Sequence, residues 1–417
     1  MRQLFVNVNF VLLFLGRVIT NIGDSMYYVA SMWLVYELGG SAFYTGLAGF
    51  LILLPKAFQF LFGPFVDRWK IRKTLLTTQI LQSILILIIP FTYFLDLLTI
   101  QLIFIMMPLI AVIEEFAYPS QTKALPIILK KTELIKGNSA FAFAYQGVDL
   151  IFHSVAGILV TSIGAITLFL IDSITFAVAA LLFSFLRIEK RTDGITEELK
   201  SKNYFSELKE GLSTVFQSLL WVLLLGAAFV NFSIGMTMAL LPSIAQSFGG
   251  ASFYGMLLAS MSLGLLVGSL SGSLIGNFPV GYSIIICFTM GAFCWFSTSF
   301  VATPFFFLLL FGLAWIPIGA VNVLFAGITQ SIIPLEMIGR VNSVMSSFSV
   351  IFMPVGSLLG GYIGTIINPN TIFTYTSLGL GVMAFMWVLF SELKKLPRVE
   401  EIDGRKLNLN DTPKEAS

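Results

Sequence analysis

The side chains able to do chemistry in this chain are ionisable groups set inside long apolar segments, and they crowd into its first half. Arg17, Asp24, Lys56, Glu114, Glu115, Asp149, His153 and Asp172 all interrupt hydrophobic runs, whereas residues 211–335 and 341–391 contain no Asp, Glu, Lys, Arg or His. A charge near the centre of a bilayer costs roughly 2.5–3.5 kcal/mol on insertion scales, so a group of them persists only where they pair, meet water or serve transport. Spacing sorts them onto helix faces. Arg17, Thr20, Asn21, Asp24, Tyr28 and Ser31 step by three or four and form one polar stripe, which belongs against a central cavity rather than lipid. Gln146, Asp149 and His153 share a face, as do Glu114, Tyr118 and Gln121. Glu115 points about 100° away from Glu114 on a helix, so the two carboxylates cannot both look squarely into one site.

The chemistry open to such groups is proton carriage and substrate binding, with Glu114 the first candidate and Asp149 and Asp24 next. Other readings stay open. Arg17 and Asp24, roughly 10 Å apart along a helix axis, either work on substrate or proton or belong to a structural ion network. Lys56 either serves the site or neutralises Glu114, Glu115 or Asp149. His153, the only histidine, either relays protons or packs between helices. Asp172, near one end of its segment, reads as structural.

The elements that must position these residues are transmembrane helices. Of 417 residues, 57% are hydrophobic and 11% charged, with 41 Phe and a mean hydropathy of +0.91. Soluble domains carry about 25% charged residues. A spanning helix needs about 20 mainly apolar residues. Twelve such runs occur, at 8–35, 42–66, 74–95, 99–125, 139–163, 165–187, 218–245, 251–276, 280–301, 303–332, 341–366 and 371–393. The first is too long for a signal peptide and carries Arg17 and Asp24. Of 24 Lys and Arg, 21 fall in segments that alternate to one side and none in the loops of the other, so the positive-inside rule places both termini in the cytoplasm of a multi-pass inner (plasma) membrane protein.

The expected fold class is therefore an all-α membrane protein of twelve transmembrane helices in two pseudo-symmetric six-helix bundles. Its domains are a first bundle over 1–187, a cytoplasmic linker over 188–217, a second bundle over 218–393 and a cytoplasmic tail over 394–417. In the linker, Phe205, Leu208, Leu212 and Val215 recur at helical spacing, which predicts an amphipathic helix lying on the membrane. A weak internal repeat supports the two halves. Lys136–Ser139 and Arg340–Ser343 open the fifth and eleventh segments 204 residues apart, which sets Gly157 against Gly361. The loop within 272–281 is the second-half counterpart of the loop at 63–73, without its charges.

Enzyme signatures are missing. The chain has no P-loop and no Gly-x-Ser-x-Gly nucleophile motif, and its single histidine stands apart from any nucleophile. Cys287 and Cys294 lie roughly 10 Å apart on one helix, too far for a disulfide, and have no His or acidic neighbours to make a metal site. Neither cofactor nor metal is expected. The basic residues are dispersed over loops and form no face for nucleic acid.

The stretch Gly63-Pro64-Phe65-Val66-Asp67-Arg68-Trp69-Lys70-Ile71-Arg72-Lys73 carries five charges, four of them basic, between the second and third apolar runs. Its Gly-x-x-x-Asp-Arg-x-x-x-Arg-Lys pattern resembles motif A of the major facilitator superfamily, with Lys70 where that family usually has Gly. The resemblance implies a charge latch made by Gly63, Asp67, Arg68, Arg72 and Lys73. It also implies that spans 1, 4, 7 and 10 line a cavity flanked by spans 2, 5, 8 and 11. Asp24, Lys56, Glu114 and Asp149 would then surround one aqueous chamber, to which Asn231 and Asn322 add uncharged amides. Phe116–Pro119, Ala124–Pro126, Gly137–Ser139, Leu170–Asp172, Thr175–Phe176, Gln330, Pro334 and Gly339–Val341 resemble the macrolide-efflux and siderophore-export branch. Two departures count against an antiporter: the fifth span lacks the Pro of motif C, and the fourth lacks a central Arg.

The expected function is a monomeric secondary transporter, not an enzyme, that exports an amphipathic organic solute, drug-like or siderophore, against protons by alternating access. Its partners are that small molecule, the proton and the lipid bilayer. A lipid or lysolipid translocator, and a receptor or scaffold without transport, are the alternatives.

Overall fold

A computed structural model describes residues 4–59, 69–130, 133–188, 204–333 and 335–402. All regular structure among them is helical. In the first half the helices are α1 (Val8–Gly39), α2 (Ala42–Ala57), α3 (Ile71–Phe94), α4 (Ile100–Ile128), α5 (Leu134–Ile163) and α6 (Ala165–Ser184). Then come α7 (Tyr204–Gln217), α8 (Leu220–Gln246), α9 (Ala251–Ile275), α10 (Val280–Ser297), α11 (Pro304–Ile332), α12 (Leu335–Val350), α13 (Phe352–Ile363), α14 (Pro369–Thr376), α15 (Leu378–Leu389) and the short α16 (Ser391–Lys394).

Among the described residues, 9 helical stretches are long and apolar enough to cross a membrane, with α12–α13 and α14–α15 each counting as one through a local break. The long helices outside that set include α1 and α5, which carry the polar stripes. Large apolar side chains such as Ile84, Leu181, Leu270 and Phe293 stand on outer faces, where only lipid can cover them without cost.

Two compact units emerge. The first comprises residues 1–192 with 238–259 and 358–369, the second residues 193–237, 260–357 and 370–417. In the first, α1 and α3 both pack on α6, and α1 also touches α2, α4 and α5. Ser83 and Ser173 clasp α3 to α6, each hydroxyl donating to the other's carbonyl at 2.8 Å. At one end of the unit Phe10, Leu13, Leu75, Leu125 and Phe183 form a buried apolar plug, sealed by Asn9, which exchanges two hydrogen bonds with the backbone of Arg187.

The other end bears the turns at Gly40, Gly164, Gly249 and Gly250, all in positive-φ conformations. Here glycines let backbone meet backbone. A β-carbon at Gly157 of α5 would stand 2.5 Å from the Ala251 carbonyl oxygen and 2.8 Å from Gly255 Cα. One at Gly361 of α13 would stand 2.6 Å from both the Ala42 carbonyl oxygen and Gly46 Cα of α2. Small residues of this kind are what allow helices to approach closely in lipid. Gly157 and Gly361, equivalent by the internal repeat, thus make equivalent crossings. Side-chain bonds reinforce them: the Thr45 hydroxyl donates to the Ala239 carbonyl at 2.6 Å, and the Thr161 and Ser252 hydroxyls lie 2.9 Å apart.

In the second unit an aromatic core of Trp295, Phe311, Trp315 and Phe373 joins α10, α11 and α14. The linker helix expected from Phe205, Leu208, Leu212 and Val215 forms as α7, and Val215 is buried. It packs against α12, with Phe216 edge-on to Phe348. Protein therefore covers part of the face that the sequence assigned to the membrane.

Candidate functional site

α1 is the hub of the polar residues, because small side chains on it let two neighbours come close. On the face toward α6, a β-carbon at Gly23 would overlap Asp172 Oδ1 and Thr175 Oγ1, so α6 presses directly on α1 there. Asp172 is fully buried. Its Oδ1 accepts from Thr175 Oγ1 at 3.3 Å, and its Oδ2 has no hydrogen bond among the described residues.

The adjoining face meets α5. Asn21 Nδ2 donates to the Ala144 carbonyl at 3.2 Å. Ser25 Oγ lies 2.8 Å from Asp149 Oδ1 and 2.9 Å from the Asn21 carbonyl, and can donate to either. One turn further on, the rings of Tyr28 and His153 lie 6.5 Å apart. The steps 21, 25, 28 on α1 and 149, 153 on α5 run in register, as two helices side by side require.

Between these faces stand Arg17, which is buried, and Asp24, which is half-buried. Asp24 is within electrostatic reach of Glu114, Arg17, Asp172 and Asp149. Glu114 and Glu115 are both half-buried. Glu114 acts toward Asp24 and Asp172, whereas Glu115 meets Lys56 as well as Glu114. The structure therefore brings Arg17, Glu114, Asp149 and Asp172 within electrostatic reach of Asp24 in one unit. Such a set can hold a proton or a cation, since its carboxylates outnumber the guanidinium.

On the α1 stripe Arg17, Thr20, Asn21 and Ser31 are buried, and Asn21 is spent on α5. Lys56 is exposed, because α2 ends at the next residue, and it acts on Glu115, in keeping with the neutralising alternative left open for it. Ser25, Gly23 and Thr175 were not picked out by spacing, though Ser25 follows Asn21 by one turn. Thr78, Gln79 and Gln82 are buried on α3, and Gln121 on α4 has neither amide atom bonded among the described residues. Gln121 stands on the face already marked by Glu114 and Tyr118, whereas Gln79 and Gln82 carry no charge and no polar stripe to single them out.

Comparison with known proteins now adds to this geometry. Residues 4–416 match the family described as transmembrane secretion effector, a branch of the major facilitator superfamily. The chain belongs to this family. Macrolide efflux protein A of Streptococcus pyogenes is 22% identical over 400 residues, covering 93% of this chain and 97% of that protein. An uncharacterised transporter of the superfamily from Bacillus subtilis is 23% identical over 420 residues, 96% of this chain and 97% of its own. The structure of a bacterial homologue of the human lysosomal transporter Spinster, inward-facing and unoccupied, superposes with a TM-score of 0.71 at 15% identity. It covers 92% of this chain and 96% of that one. That likeness concerns the fold alone. Members of the superfamily transport rather than catalyse, in keeping with the missing enzyme motifs.

For a major facilitator protein the loop after α2 is of interest, but Gly63, Asp67 and Arg68 lie outside the described residues. Its far end is visible. Trp69 stacks on Phe116 of α4 at 5.3 Å, Lys73 is exposed, and Arg72 Nη2 donates to the carbonyl of Ser184, the last residue of α6. A cation on an orphan carbonyl at a helix C-terminus is favourable twice over, as hydrogen bond and as dipole partner. Arg72→Ala is expected to cost about 1 kcal/mol, read as a lowered thermal midpoint that Arg72→Lys partly restores. In the second unit, Asn231 Nδ2 donates to the Ala227 carbonyl of its own helix at 3.0 Å, and Asn322 is exposed.

Proposed function

We propose that this chain is a secondary active transporter that exports an amphipathic organic solute in exchange for protons by alternating access. It would sit in the cell inner membrane with both termini cytoplasmic, its twelve crossings supplied by α1–α6, α8–α11 and the pairs α12–α13 and α14–α15. The observation that carries this reading is the convergence of Arg17, Glu114, Asp149 and Asp172 on Asp24 among otherwise apolar helices. An excess of carboxylates at membrane depth is retained only against a strong cost, and exchange of a proton for a cationic or hydrogen-bonding substrate gives it a use. A proton arriving on Glu114 or Asp149 neutralises the site and releases the substrate. The proton gradient drives the exchange, and where the substrate is uncharged its electrical part adds about 2.3 kcal/mol per proton crossing 100 mV. The near full-length relation to a macrolide efflux protein supports export of large amphipathic compounds.

The test is movement of a panel of amphipathic compounds, a macrolide among them, in proteoliposomes under an imposed pH gradient. Gradient-driven transport is expected in the parent, reduced at least about tenfold in Glu114→Gln and in Asp149→Asn. Undiminished proton-coupled transport in both variants would refute the assignment.

A further inference from the structure

The turn at Gly276–Pro279, between α9 and α10, occupies the second-half position of the charged loop near residues 63–73, yet has no charge of its own. It is not bare. The chain's own C-terminal segment, Leu393–Ile402, lies along it. The N–H of Val280 donates to the Pro397 carbonyl at 3.0 Å and that of Gly281 to the Leu396 carbonyl at 3.3 Å, while the Val399 N–H reaches the Gly276 carbonyl at 3.5 Å. Val280 and Gly281 open α10, and Pro279 before them has no side chain able to cap. The first N–H groups of a helix lack partners within it. Here the strap's carbonyls supply them.

Packing agrees with the bonding. Leu393, Leu396 and Ile402 are exposed by only 0%, 2% and 7%. A β-carbon at Gly281 would overlap the carbonyls of Leu393 and Lys394, so strap and helix touch backbone on backbone. The turn Val399–Glu401 rests on α11, α16 rests on α10 and α15, and the Lys394 ammonium lies 6.0 Å from the centre of the Tyr282 ring.

We propose that Leu393–Ile402 is a built-in brace that holds this end of α10, α11 and α15 together, in the place where the first half carries a charge motif. An ion pair in water breaks and re-forms at little cost. Backbone bonds shielded by three buried apolar anchors do not, so the brace stays seated as the rest of the protein moves.

The experiment uses the full chain in detergent, with Cys287 and Cys294 replaced by Ala and Ile402→Cys as the single thiol. Its rate of reaction with a small maleimide is compared with that of Val6→Cys, an exposed control at 79%. Ile402→Cys is expected to react far more slowly. Adding Gly281→Leu is expected to raise its rate about tenfold by favouring local opening. Should that variant not fold, Leu396→Ala serves, because it removes a buried anchor of the strap and leaves α10 untouched. Its expected increase is about threefold. Fast labelling of Ile402→Cys in the parent, or continued protection in a folded Gly281→Leu or Leu396→Ala protein, would overturn the proposal.

Discussion

Replacing Gly157 with leucine is expected to lower stability by about 3 kcal/mol, read as a fall in the thermal midpoint of the purified protein. The neighbours of the missing β-carbon are the Ala251 carbonyl and the Cα of Gly255, which are backbone atoms with no rotamer to change. Helices α5 and α9 must therefore move apart, and the Thr161–Ser252 contact one turn away goes with them. Gly361→Leu is expected to act alike at the α2–α13 crossing, where the Thr45–Ala239 bond is at risk. Gly381 gives the control. It has open space around its Cα, so Gly381→Ala should be neutral or stabilising by up to about 1 kcal/mol through helix propensity. A Gly157→Leu protein with an unchanged midpoint would show that the crossing is looser than described. If transport proceeds by alternating access, variants at both crossings should also shift cysteine accessibility of α1 toward the state in which this end is open.

Removing the charge of Arg17 is expected to have the second large effect. Arg17 is buried and acts on Asp24, which also feels Glu114, Asp149 and Asp172. Removing a buried cation that offsets carboxylates within its electrostatic reach destabilises the unit, by less than the roughly 3–5 kcal/mol lost when a contacting buried pair is broken. Arg17→Gln should therefore fold poorly at neutral pH. Arg17→Gln with Asp24→Asn should recover much of the loss, because the orphaned carboxylate is gone. A double-mutant cycle on thermal unfolding measures that coupling. Additive losses would mean that Arg17 and Asp24 stabilise the unit independently, and the cluster would lose its organising pair.

The same cluster separates two jobs that one stripe of residues had seemed to share. Asn21 and Ser25 hold α1 against α5, while Gly23 admits Asp172 from α6. Asp24 lies between these faces. Ser25, which holds α1 against α5, and Asp24, for which we propose a part in the exchange, are thus neighbours in sequence but differ in helix face by about 100°.

Much of this was legible in the residues alone. The apolar runs predicted helices where helices occur, since in lipid a chain must satisfy its own backbone and a helix does so within one segment. The charge motif and the scattered family residues pointed to the superfamily that the whole-length match establishes. The concentration of ionisable groups in the first half, and the equivalence of Gly157 and Gly361, also follow from reading along the chain. What only the tertiary structure decided is which partners meet. Ser25 with Asp149, Gly23 with Asp172, Gly157 with Gly255 and Pro397 with Val280 are separated by tens to hundreds of residues. Helical periodicity fixes the face on which a residue stands, but not the neighbour that the face is turned toward. That choice comes from close packing of several helices at once, where glycines set the approach and backbone groups left open at helix ends take whatever donor or acceptor arrives.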